Sequence, residues 1–336
     1  MGVPSNQYVY RVLGTSRQAM HQYFSRRKAL QEQLYACESA LLVLRKDHPR
    51  LGLKKAYTMI KPAGIGRDRF VRQMTIWGHA LDRKYSYIRT TRSNGNRYPN
   101  IATGLVINDI NRIWQSDTTY FLLNGRFVFL TFIIDVYSRV IIGYCASSGL
   151  KATANVKALK MALRTRHGVD LSELIFHSDG ATQYRSEIFT YLLCLHGITS
   201  SMCQVALNNA YAEKINDVIK NEYLTAYQIK TMEQLKYRLR KAVRNYNGKR
   251  PHSRLPQGLA PTKYEEYLRS TPITQRVPLL IKDGQSSKQE LNLEQAEKNL
   301  FDTPATWVAN GGAKKILPAF IALGQEKQNG QLALAL

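Results

Sequence analysis

Two apolar runs constrain the fold of this chain more than any other feature. Phe127–Ile134 reads FVFLTFII, and Val140 opens a second run, VIIGYCAS, after a polar break from Asp135 to Arg139. Runs of this length, rich in β-branched and aromatic residues, predict buried strands paired as a hairpin. A further strand is expected just upstream in IWQSDTTYFL, where Thr and aromatic residues give high β propensity. Asn124-Gly125 separates it from the first run and is a strong hairpin signal. Asp117 sits in the middle of that upstream strand, a position from which a core normally excludes an acid.

Helical and strand patterns then alternate. Lys151 to His167 has helical spacing, and Leu174 to Phe176 is a short apolar strand ending at His177-Ser178-Asp179-Gly180. Ser186 caps a helix that Gly197 terminates, Ile198 to Val205 reads as a fifth strand, and Asn209 to Glu222 as a helix with Glu213 near its start. Three meandering strands followed by β-α alternation predict an α/β fold: a mixed five-stranded sheet with helices on both faces. An acid where a buried strand ends, followed by Gly, is where open α/β sheets hold their chemistry. If the strands of Asp117 and Asp179 are neighbours, their carboxylates stand side by side, and Glu213 can reach them from the covering helix. Asp135 is a rival acid that reads better as part of a turn.

The chain has 336 residues, enough for two or three domains, and a formal net charge of +24 from 48 Lys/Arg against 24 Asp/Glu. That excess predicts a polyanionic partner. It is concentrated early: residues 1–100 hold nineteen Lys/Arg and five Asp/Glu. Residues 1–30 read as helix, tight turn at Gly14-Thr15, then a helix from Ser16 that carries Arg17, Gln18, His21 and Arg26. This is a helix-turn-helix pattern, whose second helix enters a DNA major groove; a plain helical hairpin with a basic face is the alternative. Ala29 to Leu44 is helical by periodicity, His48-Pro49 breaks it, and two more helices follow around Gly64 and Gly66. The expected organisation is a helical DNA-binding region over 1–84, a basic linker over 85–104, a core over 105–226, a helical extension over 227–270 and a tail over 271–336. Cys37, Cys145, Cys194 and Cys203 lack metal-ligand spacing and are expected to be reduced thiols. No signal peptide is visible, and the longest apolar run is too short to span a bilayer.

The pieces WQSDTTY, IDVYSRVIIGY, FHSDGATQYRSEIF, HGITSSM, NNAYAEKINDVIKNE and YNGKRPHSRL occur in that order over roughly residues 100 to 265. Together they resemble the OrfB-type transposases of bacterial insertion sequences, whose catalytic core is similar to that of retroviral integrases and has the ribonuclease H-like fold. The N-terminal segment HPRLGLKKAYTMIKPAGIGRDRF resembles that family's N-terminal module. The match departs at Gly180, at Asn208 and in a shortened interval before Glu213.

The resemblance implies that Asp117, Asp179 and Glu213 form a DDE catalytic triad and bind metal. Two Mg²⁺ ions are expected, with Mn²⁺ able to substitute, because clustered carboxylates suit a hard divalent cation and repel one another without one. Asp117 is expected to bridge both ions, with Asp179 on one and Glu213 on the other. It further implies double-stranded DNA as partner, both inverted-repeat ends and target, and an assembly of at least two copies on DNA. An upstream reading frame that supplies or is fused to part of the enzyme is also implied, as is a place in the bacterial cytoplasm at the nucleoid. Expected DNA contacts are Arg17, Gln18, His21, Arg26, Lys220, Arg240, Arg244 and Arg250. Gln183 and Tyr184 either touch DNA or support their loop. Two other functions fit much of the pattern: a transposase-derived DNA-binding regulator with impaired catalysis, and a metal-dependent nuclease without strand transfer.

Overall fold

The computed structural model describes residues 10, 12, 14–82, 98–203 and 209–282. The helix expected before Gly14, residues 83–84, residues 85–97 of the expected linker, residues 204–208 with the end of the expected fifth strand, and the tail from 283 on therefore lie almost entirely outside the described residues.

Three N-terminal helices, α1 (Arg17–Asp47), α2 (Leu53–Ile60) and α3 (Arg67–Ile76), pack around Leu34, Leu41, Ala56, Phe70 and Met74. Gly14 takes a positive φ of 60°, and the Ser16 hydroxyl accepts a hydrogen bond from the Ala19 amide at 3.1 Å, so the turn and cap fall where the residue types put them. The two helices expected after that cap are one continuous helix of 31 residues. No Gly or Pro interrupts residues 17–47, so nothing offsets the gain of one backbone hydrogen bond per added residue until His48-Pro49.

After a two-residue strand, β1 (Val106–Ile107), comes the main sheet of β2 (Ile113–Leu123), β3 (Arg126–Asp135), β4 (Ile141–Ser147), β5 (Ile175–Ser178) and β6 (Thr199–Met202), in the order β4-β3-β2-β5-β6. The first three of these five are an antiparallel meander, and β5 and β6 run parallel to β2. Asn124 and Gly125 both adopt positive φ, 47° and 77°, as a two-residue hairpin turn of this twist requires, and Leu123 faces Arg126 across it.

The period of two along β3 divides the core. Val128, Leu130, Phe132 and Ile134 pack with α6 (Ala210–Val218) and α7 (Met232–Gly248) through Ile215, Val218, Leu239 and Val243. Ile133 faces the other way, into a layer with α4 (Ala152–Thr165) and α5 (Glu187–Leu195) that includes Leu159, Phe176 and Phe189. This helix–sheet–helix arrangement around a sheet of order β4-β3-β2-β5-β6, an antiparallel meander extended by two parallel strands, is the expected ribonuclease H-like fold. α4 lies so close to β4 that a Cβ on Gly143 would come within 2.2 Å of the Ala158 carbonyl oxygen. Gly143→Ala is therefore expected to cost roughly 3 kcal/mol by overpacking, read as a lowered urea midpoint with an unchanged m value.

α8 (Pro261–Ser270) and a last strand, β7 (Leu279–Leu280), complete the described chain, and β7 pairs with β1. Residues 271–281, expected as the start of the tail, are thus built into the fold. Ile281 is buried, the Tyr137 hydroxyl donates to the Val277 carbonyl at 2.9 Å, and Arg276 pairs with Asp109. The run VPLLI is too short to announce a strand, and a distant partner strand supplies what it lacks.

Candidate active site at the ends of two parallel strands

β2 and β5 are paired in parallel with Ser116 opposite Ser178, so Asp117 and Asp179 are the next residues along two neighbouring strands. Both residues are half-buried. The Asp117 carboxyl is pushed up to about 8, first by burial and then by the negative charge of Asp179, with a smaller push from Glu213. Hydrogen bonds to the charged form act the other way: Asn216 donates from Nδ2 to Asp117 Oδ2 at 2.6 Å. Asp179 Oδ1 accepts from the Ala181 amide at 3.2 Å, which folds the loop after β5 back on its own carboxylate.

Glu213 lies in the first turn of α6 and is exposed. Partial desolvation raises its carboxyl from the ordinary value. Among the described residues no three His, Cys, Asp or Glu side chains converge closely enough to hold a metal ion. The structure thus pairs Asp117 with Asp179 and leaves Glu213 nearby on the helix surface. A carboxyl such as that of Asp117, raised by burial and by the negative charge of Asp179, offers hard oxygens that a divalent cation fits, because the cation offsets both effects.

Buried polar groups hold this arrangement from below. The Ser116 hydroxyl donates to the Phe132 carbonyl and lies 2.9 Å from the Tyr184 hydroxyl, and Asn209 Nδ2 donates to the Ser116 carbonyl. Tyr184 is 3% exposed and supports its loop from inside the fold. His177 is buried with Nδ1 2.9 Å from the Ser201 hydroxyl. Asp135 accepts from the backbone amides of Asn111, Tyr137 and Ser138, which makes it the anchor of the β3–β4 turn.

Sequence reasoning misses Asn216, although a signal is there. Ala212, Ile215, Asn216 and Ile219 form the buried stripe of that helix and its continuation, and Asn216 is the polar residue in it. Such a residue must find a partner, and here it finds Asp117. Directly after α6 the chain makes a π-helical turn, Ile219–Tyr223. Within it Lys220 donates from Nζ to Thr119 Oγ1 at 3.1 Å and lies 4.8 Å from the Tyr120 ring centroid. Burial lowers the Lys220 ammonium, while Asp217 and Asp117 pull it back up.

The expected DNA contacts divide. Arg17, Gln18, His21 and Arg26 are exposed on α1, Arg240 and Arg244 are exposed on α7, and Lys220 is half-buried beside the acids. Arg250 is a correction. It is 3% exposed, and its Nε and Nη2 donate to the two Glu222 oxygens at 2.7 Å each, so its charge is spent inside the fold.

The integrase core domain family matches residues 108–206, and a second integrase core domain family matches residues 197–259. A transposase for insertion sequence element IS629 from Shigella sonnei is 29% identical over 62% of this chain and 72% of its own length. An uncharacterised 31 kDa protein of insertion element IS600, also from Shigella sonnei, is 27% identical over 76% of this chain and 96% of its own. Among solved structures, the HTLV-2 integrase catalytic core domain in complex with magnesium overlaps 46% of this chain and 95% of its own, at 19% identity and a TM-score of 0.37. The chain carries an integrase core, a class of metal-dependent polynucleotidyl transferase. Within that class it stands among the transposases of bacterial insertion sequences. No helix among the described residues is long and apolar enough to cross a membrane.

Proposed function

We propose that this chain binds the inverted-repeat ends of an insertion sequence and cleaves and joins DNA strands through Asp117, Asp179 and Glu213. The observation that supports this best is the pair of carboxylates on adjacent parallel strands, with burial and then the charge of Asp179 raising the Asp117 carboxyl. Two Mg²⁺ ions, or Mn²⁺ in their place, held by these three residues would activate the attacking water or 3′-OH and stabilise the departing oxygen.

The chain's own groups then have separable tasks. Asp117, fixed by the Asn216 amide, would be the central metal ligand. Asp179 would hold a metal ion beside it. Glu213, exposed in the first turn of α6, would supply the third carboxylate. Lys220 offers an ammonium to a phosphate oxygen beside Thr119, and Arg240 and Arg244 extend the positive surface along α7. The water and the 3′-OH enter the same in-line displacement in turn, so one centre serves hydrolysis and strand transfer.

In this reading residues 1–84 are a DNA-binding region, 105–226 the catalytic core and 227–270 its helical extension. Bringing two ends together calls for at least two copies on DNA, in the bacterial cytoplasm at the nucleoid, with an upstream reading frame contributing a partner or a fused segment. The deciding experiment is incubation with duplex carrying the element ends and Mg²⁺ or Mn²⁺, with nicked and joined products scored separately. Binding without either product makes the chain a regulator; nicks without joined strands make it a nuclease. Neutralising Arg17 and Arg26 is expected to weaken end binding and to reduce the slope of log K against log salt by roughly one for each phosphate no longer neutralised. An unchanged slope removes α1 from the interface.

A further inference from the structure

We propose that the β3–β4 turn, the start of α6 and the loop after α7 form a binding site for a backbone phosphate of DNA, with the Arg139 guanidinium at its centre. The inference rests on the DNA-processing function proposed above and adds a phosphate site on the other side of the catalytic helix from the acids.

Arg139 is 7% exposed and sits in the turn with a φ of 67°, the left-handed region that a residue with a Cβ seldom adopts. Such a conformation persists where its surroundings over-determine it, and it clusters at functional sites. Two other buried arginines of the core each face a carboxylate: Arg166 pairs with Glu265, and Arg250 with Glu222. Among the described residues Arg139 makes no ion pair, and its Nε and Nη1, both shut off from solvent, have no hydrogen-bond partner, which leaves Nη2 as the edge a ligand could meet. Its guanidinium lies 4.0 Å from the centroid of the Tyr211 ring, an interaction that offsets only part of the cost of removing a cation from water. What is missing is an anion.

The surroundings are positive. His252 stands in the combined field of Arg139, Arg250, Lys55 and Arg254, and burial, together with that field, holds its imidazole down at about 3 and therefore neutral. Lys55 in turn feels Arg250 and Lys214. The acid facing this group, Glu222, is already engaged by Arg250 and by Lys55 at 3.8 Å. Arg254 and Lys214 are exposed, and His252 and Lys55 half-buried, so solvent and a ligand can reach the rim. Tyr211 precedes Glu213 by two residues on α6. A phosphate bound over Arg139 would therefore run beside the helix that carries the third acid, which would set the register of a strand entering the site.

The test is titration of an element-end duplex in EDTA, where no strand is cut, at several NaCl concentrations. Arg139→Gln and Arg254→Gln are each expected to weaken binding roughly tenfold, the scale of one charge-assisted hydrogen bond, and to lower the salt slope by about one. Lys160→Gln, an exposed lysine on α4, controls for general loss of charge and is expected to change neither. The proposal is overturned if Arg254→Gln behaves like Lys160→Gln while Arg139→Gln shifts only the thermal midpoint, which would make Arg139 a structural cation. It is also overturned if millimolar inorganic phosphate, at matched ionic strength, raises the midpoint of the wild type but not of Arg139→Gln while both bind duplex equally; the site would then take free phosphate. Absence of duplex binding by the wild type would instead remove the DNA reading, and this site with it.

Discussion

Asp117→Asn is expected to abolish strand cleavage and, in metal-free protein, to raise stability. The two effects have one cause. The Asp117 carboxyl is pushed up to about 8 by burial and by the charge of Asp179, against 3.8 for an ordinary aspartate. Between those values the folded protein holds a proton that the unfolded chain releases, so stability without metal falls as pH rises from about 4 to about 8. Asn has the same shape and no charge. It should remove that slope and leave the variant more stable than wild type above the folded value. If Asp117 is the metal ligand proposed here, Asn also removes that ligand, so cleavage and joining should fall about a thousandfold or more, on the order of 4 kcal/mol of barrier. DNA binding should survive, because the exposed basic residues of α1 and α7 are untouched. Stability gained with activity lost is what a strained functional group gives. Thermal midpoints in EDTA across pH, run beside a cleavage assay, check both halves. A variant less stable than wild type at high pH, or one that keeps cleaving, would make Asp117 a structural acid and end the catalytic reading.

Arg250→Ala is expected to cost about 3 kcal/mol, because it removes the two-armed partner of the half-buried Glu222 carboxylate and leaves it with Lys55 at 3.8 Å. The pair is a two-armed contact at 2.7 Å, and the Arg250 side chain is 4% exposed against 24% for Glu222. It also closes a junction. The Glu222 carbonyl accepts from the Arg50 amide at 3.1 Å, His48 Nδ1 lies 2.9 Å from the Tyr223 hydroxyl, Asn245 Nδ2 donates to the Asp47 carbonyl at 2.8 Å, and Lys249 pairs with Asp47. The end of α1 and the turn before α2 are thus fastened to the π-helical turn that continues the catalytic helix. Replacing both partners, as Arg250→Met with Glu222→Met, should recover a good part of the loss, since neither charge is then stranded. Urea denaturation of the two single variants and the double variant measures the coupling. A loss below about 1 kcal/mol in Arg250→Ala, joined to weaker DNA binding and a smaller salt slope, would return Arg250 to the DNA interface that its position in YNGKRPHSRL first suggested.

Asp117 and Arg250 mark where reading a sequence succeeds and where it stops. Asp117 and Asp179 are legible because each is locally anomalous, an acid inside or at the end of a strand pattern, and because three strands in a row with Asn124-Gly125 at one turn leave few ways to order a sheet. Strand periodicity and turn chemistry act over a few residues, so they are written in the chain itself. Arg250, Arg139 and Asn216 carry no such local mark. Whether an arginine meets water, a carboxylate or nothing depends on which distant elements pack over it, and Glu222, Tyr211 and Asp117 reach these three from 28, 72 and 99 positions away. The same holds for residues 271–281, whose short apolar run became a strand only because Val106–Ile107 offered an edge. The sequence by itself determined the five strands of the main sheet, the helices that alternate with them, the hairpin and the two paired acids. The tertiary structure decided which charges are spent inside the fold and which remain for a ligand, because burial is set by packing between segments that no local pattern relates.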